Sequence, residues 1–168
     1  MRRIFAYLQR LFGIRPKVKK SIVNTYSKEK TAKTLRELQE FMQSQQPYLN
    51  PGYNIKSLAQ EMGMPPYQLS AFLNRQVGVN FNDFINRYRI LYCKELIHKG
   101  DDGGLNLKGL AAKCGFHNRN TFTIAFKKFT GYTPSVYAKQ FKMQNYKSGK
   151  IVFFGNIAEE NFKEISSK

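Results

Sequence analysis

The chain predicts an all-α protein built from a two-helix unit that occurs twice. One long helix joins the two copies, an extra helix precedes them and a short tail follows. Three observations carry this reading. The run Asn54-Ile55-Lys56-x-Leu58-Ala59-x-x-x-Gly63 returns 52 residues later as Asn106-Leu107-Lys108-x-Leu110-Ala111-x-x-x-Gly115. After one extra residue the match resumes at an offset of 53, pairing Leu69, Leu73, Gly78, Phe81 and Phe84 with Phe122, Phe126, Gly131, Pro134 and Tyr137. Between the copies, Phe81, Phe84, Ile85, Tyr88, Cys93, Leu96 and Ile97 keep a helical period over about 19 residues.

Each element follows from local chemistry. Arg2 to Phe12 carries Ile4, Phe5, Leu8, Leu11 and Phe12 on one stripe opposite Arg2, Arg3 and Arg10. Gly13 and Pro16 end it, and the basic run Lys17, Lys19, Lys20 follows. A second helix is expected from about Ser27 to Gln46, with Leu35, Leu38, Phe41 and Met42 inward, and Pro47 to Gly52 breaks it. Asn54 has the side chain to cap the free amides of a helix start. Ile55, Leu58, Ala59 and Met62 form that helix's buried face, and Gly63 supplies the left-handed residue that closes it. Pro65 and Pro66 suit a helix beginning but not an interior, so a new helix opens there with Leu69, Phe72, Leu73 and Val77 inward before Gly78. Asn80 and Asp83 resemble a capping pair for the joining helix, which runs to about Lys99 and spans about 28 Å at 1.5 Å per residue. Gly100-Asp101-Asp102-Gly103-Gly104 is a flexible connection. The second copy starts at Asn106, turns at Gly115 and restarts at Asn118, with Phe122, Ala125, Phe126 and Phe129 inward; a closing helix begins near Pro134. Ile151-Val152-Phe153-Phe154 suits a short strand or docking segment.

The 168 residues accommodate one domain or two small units sharing a core, plus tails, divided here as 1–26, 27–143 and 144–168. The formal net charge is +17. Residues 1–30 hold nine Lys/Arg against one Glu, and 47–143 hold 13 against five acidic residues, so each region carries +8. Such a chain binds polyanions by default, but charge alone does not separate DNA from RNA or an anionic membrane. Cys93 and Cys114 each sit in an apolar helical pattern and read as buried thiols, with no disulfide framework or metal site. Neither histidine, His98 or His117, has a cysteine or carboxylate at metal-ligand spacing. Asp101 and Asp102 lack the alternating ligands of a calcium loop, and a phosphate-cradling glycine motif is absent. An enzyme is therefore not expected, nor any cofactor. No apolar run approaches the ~18 residues of a membrane span, and no signal peptide is visible, so the expected compartment is the cytoplasm.

Two helices around a short glycine-containing turn form the helix-turn-helix arrangement, whose second helix enters the DNA major groove. Successive major-groove faces on one side of a duplex lie about 34 Å apart, close to the length of the joining helix. With Leu69 and Leu73 buried, the outer stripe of the first reading helix is Tyr67, Ser70, Ala71 and Asn74. The second presents Asn120, Thr123, Ile124 and Lys127, preceded by Arg119. Arg75, Arg87, Lys127 and Lys128 flank these stripes and, with Asn74, are candidates for phosphate contact. Arg89 is open between a structural bond and a phosphate contact.

Residues 49 to 141 resemble the DNA-binding domain of AraC/XylS-family bacterial transcription regulators. The segments that carry the likeness are SLAQEMGMPPYQLSAFLNRQVGVNFNDFINRYRI and GLAAKCGFHNRNTFTIAFKKFTGYTPSVY. The second has the family pattern of Ala, Gly-Phe, a polar stretch, Phe-x-x-x-Phe-Lys-Lys and Gly-x-x-Pro-x-x-Tyr. The stretch LNRQVGVNFNDFINRYR is similar to members with membrane-embedded or two-component sensor halves. The resemblance implies a seven-helix, two-unit reader of double-stranded DNA that activates promoters through RNA polymerase. It also implies base contact at Tyr67, Ser70, Ala71, Arg119, Asn120, Thr123 and Ile124. Two departures stand out. Pro65 replaces the usual Ser, removing a cap worth about 1 kcal/mol, and Gly109 inside a helix costs about 1 kcal/mol relative to Ala.

Residues 1–48 leave no room for a sensor domain, so the expectation is either a stand-alone regulator or a piece of a larger sensor-regulator. Residues 1–20 suit a membrane surface, a protein surface or a basic arm. The alternative function is a non-enzymatic polyanion- or membrane-surface-binding module that retains a degenerate form of this domain.

Overall fold

A computed structural model describes residues 28–101 and 106–148. Arg2–Phe12, the basic run Lys17–Lys20, linker residues 102–105 and Ile151–Phe154 lie outside the described residues. Seven α-helices follow one another, and no strand occurs among the described residues. They are α1 Lys28–Gln45, α2 Ile55–Glu61, α3 Pro66–Phe72, α4 Phe81–Lys99, α5 Leu107–Lys113, α6 Arg119–Thr130 and α7 Pro134–Ser148. A 3-10 turn, Pro47–Leu49, links α1 to the first unit, and a π-helical turn, Leu73–Val77, extends α3.

The predicted caps set the boundaries. The Asn54 side chain accepts from the amides of Lys56 and Ser57 at the start of α2. Asn80 accepts from Asp83 N at 2.9 Å and donates to the Asp83 carboxylate at 3.2 Å at the start of α4. Asn106 accepts from Gly109 N, and Asn118 from Thr121 N at 2.8 Å. Each satisfies an amide that the first helical turn leaves unpaired. The copies keep one register up to Met64 and Phe116, whose amides bond to Ala59 O and Ala111 O. They resume at the capping positions Pro65 and Asn118. The extra residue of the second unit is therefore His117, exposed in its turn.

Two apolar clusters lie along α4. The first joins Leu35, Leu38 and Met42 of α1 to Leu58, Ala59, Leu69, Phe72, Leu73, Phe84, Ile85 and Tyr88. Burying α1's apolar stripe makes that helix part of the first unit. The second cluster joins Ile90, Cys93, Leu96 and Ile97 of α4 to Leu110, Ala111, Cys114, Phe116, Phe122, Ala125, Phe126 and Ala138. Tyr92 packs against both. Helix α4 is thus buried on opposite faces at its two ends, a shared spine rather than a tether. Cys93 and Cys114 are buried thiols, neither in a disulfide, as the sequence suggested.

Candidate nucleic-acid interface

In the second unit, burial of Phe122, Ala125 and Phe126 turns the remaining face of α6 outward. Arg119, Asn120 and Lys127 are exposed, and Ile124 is 70% exposed. Thr123 is half-buried, and its hydroxyl donates to Arg119 O at 2.9 Å, which leaves its oxygen able to accept. Helix α6 runs unbroken for 12 residues to Gly131.

The first unit presents its stripe differently. Pro65 occupies the capping position of α3 without a side-chain cap, and Pro66 takes the first helical position. Tyr67 is 71% exposed, with its hydroxyl accepting from Gln68 Nε2 at 3.1 Å. Ser70 and Ala71 are half-buried. The regular helix ends at Phe72, one residue before the π-turn that contains Asn74 and Arg75. A continuous α-helix was expected through Val77. The helix instead ends in a widened turn that closes at Gly78, whose amide bonds Leu73 O. Asn74 folds back, its amide donating to Ser70 O at 2.8 Å, while Arg75 is exposed.

The flanking cations divide. Lys127 stands free of the core on the outer face of α6. Lys128 reaches across to the first turn of α4, where Nζ lies 2.6 Å from the Asp83 carboxylate. Arg87 is half-buried with its guanidinium 4.8 Å from the Phe129 ring centroid. Burial lowers the Arg87 pKa, against which the charge of Asp83 acts. Arg87 and Lys128 thus sit at the seam between α4 and α6.

Arg89 belongs to the interior. It is 9% exposed, with Nε donating to Tyr48 O at 2.7 Å and Nη2 to Asn50 O at 3.0 Å. The structural bond is the one the structure contains. His98, expected to be a helix-end polar residue, lies half-buried with its Nε2 3.0 Å from the Tyr137 hydroxyl and its ring stacked 4.0 Å from Phe141. It helps seat α7 on α4, and burial lowers its pKa so that the neutral ring is favoured. Sequence spacing named no partner for either residue, because the partners lie 39 or more residues away. Among the described residues there is no cluster of three or more metal-ligating side chains, and no helix is long and apolar enough to cross a membrane.

Comparison with known proteins agrees with this architecture. A helix-turn-helix domain profile matches residues 58–140. The E. coli K12 protein YijO, described as an uncharacterized HTH-type transcriptional regulator, is 35% identical over 89 residues, covering 53% of this chain and 30% of that protein. RhaR of Cronobacter sakazakii, an HTH-type transcriptional activator, is 29% identical over 72 residues, covering 43% of this chain and 24% of that one. The DNA-binding domain of AdpA, a global transcriptional factor solved in complex with a target DNA, superposes with a TM-score of 0.54. That likeness covers 70% of this chain and 96% of the other at 15% identity, so it speaks to the fold alone. Residues 58–140 are an AraC-type helix-turn-helix domain of the kind found in transcription regulators. The chain spans less than a third of the length of either YijO or RhaR.

Proposed function

We propose that the chain binds double-stranded DNA sequence-specifically to control transcription, placing α3 and α6 in successive major grooves and activating promoters through RNA polymerase in the cytoplasm. The observation that supports this best is the outward face of α6. A capped helix of an AraC-type domain there presents Arg119, Asn120 and Ile124 to solvent, a set that matches guanine, adenine and the thymine methyl in chemistry. In α3, Tyr67, Ser70 and Ala71 supply an aromatic ring and small groups suited to close approach and methyl contact. Asn74, Arg75, Arg87, Lys127 and Lys128 are the proposed phosphate contacts, with Arg75 and Lys127 the most openly presented. The second unit carries more of the base discrimination.

Selection of binding sites from random duplex DNA tests this reading. The expected result is a two-part motif whose better-defined half is lost when α6 is altered. With four charged phosphate contacts, Arg75, Arg87, Lys127 and Lys128, the logarithm of affinity should fall against the logarithm of salt with a slope of about −3.6. Enrichment of no motif, with binding governed by charge density alone, would return the chain to the polyanion-binding class.

A further inference from the structure

We infer that Arg89 is a positioning residue that sets the distance and rotation at which the two reading helices meet DNA, so that half-site spacing is written into an internal joint. The inference rests on the two-unit reading proposed above. Arg89 projects from the middle of α4 and holds the chain 39 to 41 residues earlier, bonding Tyr48 O and Asn50 O, while Nη1 lies 3.4 Å from Asn86 Oδ1. The second unit closes on the same atoms. Gly115 lies so near that a Cβ there would be 2.4 Å from Tyr48 O and 2.9 Å from Leu49 Cα. The Phe116 ring sits 5.4 Å from the Arg89 guanidinium. One carbonyl, Tyr48 O, is therefore held by the spine helix and covered by the turn of the second unit.

That turn runs through Gly115, Phe116 and His117 straight into the Asn118 cap of α6. Little chain intervenes to absorb a shift, so movement at the joint becomes movement of the reading helix. The Tyr48 ring adds stiffness, stacking on Tyr88 at 5.5 Å and meeting Tyr92 edge-on at 6.5 Å. A planar guanidinium fixes the directions of two carbonyls at once, which a lysine ammonium does not. The joint is not a general need of the motif. Gly63, the equivalent turn glycine of the first unit, has nothing within 4 Å of its would-be Cβ.

The test uses the full chain and duplexes carrying both selected half-sites, with their separation varied by one or two base pairs either way. Each base pair shifts the second half-site by about 3.4 Å and turns it by about 35°. Wild type should lose about tenfold or more in affinity for a change of one base pair. Arg89→Gln should flatten that profile to within about threefold while keeping the base preferences of each half-site. Arg89→Lys, which keeps the charge but not the fork, should flatten it too, and it carries the test if the glutamine variant does not fold. A wild-type-shaped profile in the folded variants overturns the inference. So does an equal loss at every spacing, which would make Arg89 a support of the fold in general and not of the spacing. A wild-type profile that is flat although both half-sites are selected also overturns it, whereas selection of only one half-site sinks the two-unit reading instead.

Discussion

The first and second units share a backbone plan, yet they present different chemistry on it. Helix α6 is capped by Asn118, runs unbroken to Thr130 and displays Arg119, Asn120 and Ile124. Helix α3 begins on prolines, has no side-chain cap, gives way to a π-turn after Phe72 and displays Tyr67 with the smaller Ser70 and Ala71. In repeat register Ser70 faces Thr123, Ala71 faces Ile124 and Asn74 faces Lys127. A repeated fold is therefore no guarantee of repeated readout. The core positions that make the fold are apolar in both copies, and the outer positions are free to diverge because folding does not depend on them.

The turn glycines give the widest contrast. Gly115→Ala forces a left-handed conformation on a residue with a Cβ and drives that Cβ into the Tyr48–Leu49 backbone. A loss of about 3 kcal/mol or more is expected from the two effects together. Gly63→Ala has the same kind of backbone, at φ +61, but open space around it, so about 1 kcal/mol is expected. Chemical denaturation of both variants measures the difference, and equal losses would show that the second turn is not packed against the joint.

Next in size is readout. Arg119→Ala should relax preference at one base position by about 1–3 kcal/mol in competition binding. Ser70→Ala in the first unit should change specificity by less than about 0.5 kcal/mol, since it removes only a half-buried hydroxyl. An unchanged selected motif for the Arg119 variant would remove this residue from the base-reading set. A larger effect at Ser70 than at Arg119 would reverse the ranking of the units.

The smallest contrast lies in the caps. Asn118→Ala removes the acceptor for Thr121 N and should cost about 1 kcal/mol. Pro65→Ala removes no side-chain bond, and its main consequence is a freer unfolded chain, worth about half as much. Thermal unfolding of the two variants compares them directly, and a Pro65 effect as large as that of Asn118 would mean the proline start of α3 is more than a missing cap.

Much of this was legible in the residues because the signals are local. Asn54, Asn80, Asn106 and Asn118 each act on amides two or three positions ahead, so a cap shows itself within one turn of sequence. The inward faces likewise follow a period of three to four residues, which is why Leu58, Leu69, Phe122 and Phe126 read as inward from spacing alone and are buried. The π-turn at Leu73–Val77 was not legible, since its apolar spacing of Leu73 and Val77 is equally that of an α-helix. Nor was the ion pair of Lys128 with Asp83, 45 residues away.

The order of residues by itself determined where the helices begin, the duplication and the set of side chains left outside the core, because each depends on neighbours within a few positions. The tertiary structure alone decided that Arg89 is a clamp and that Gly115 is a contact point. It also decided that one tyrosine carbonyl ties spine, entry loop and second unit together. Those assignments depend on which distant segments meet, and a buried charge or a missing Cβ acquires its meaning only from the atoms packed against it.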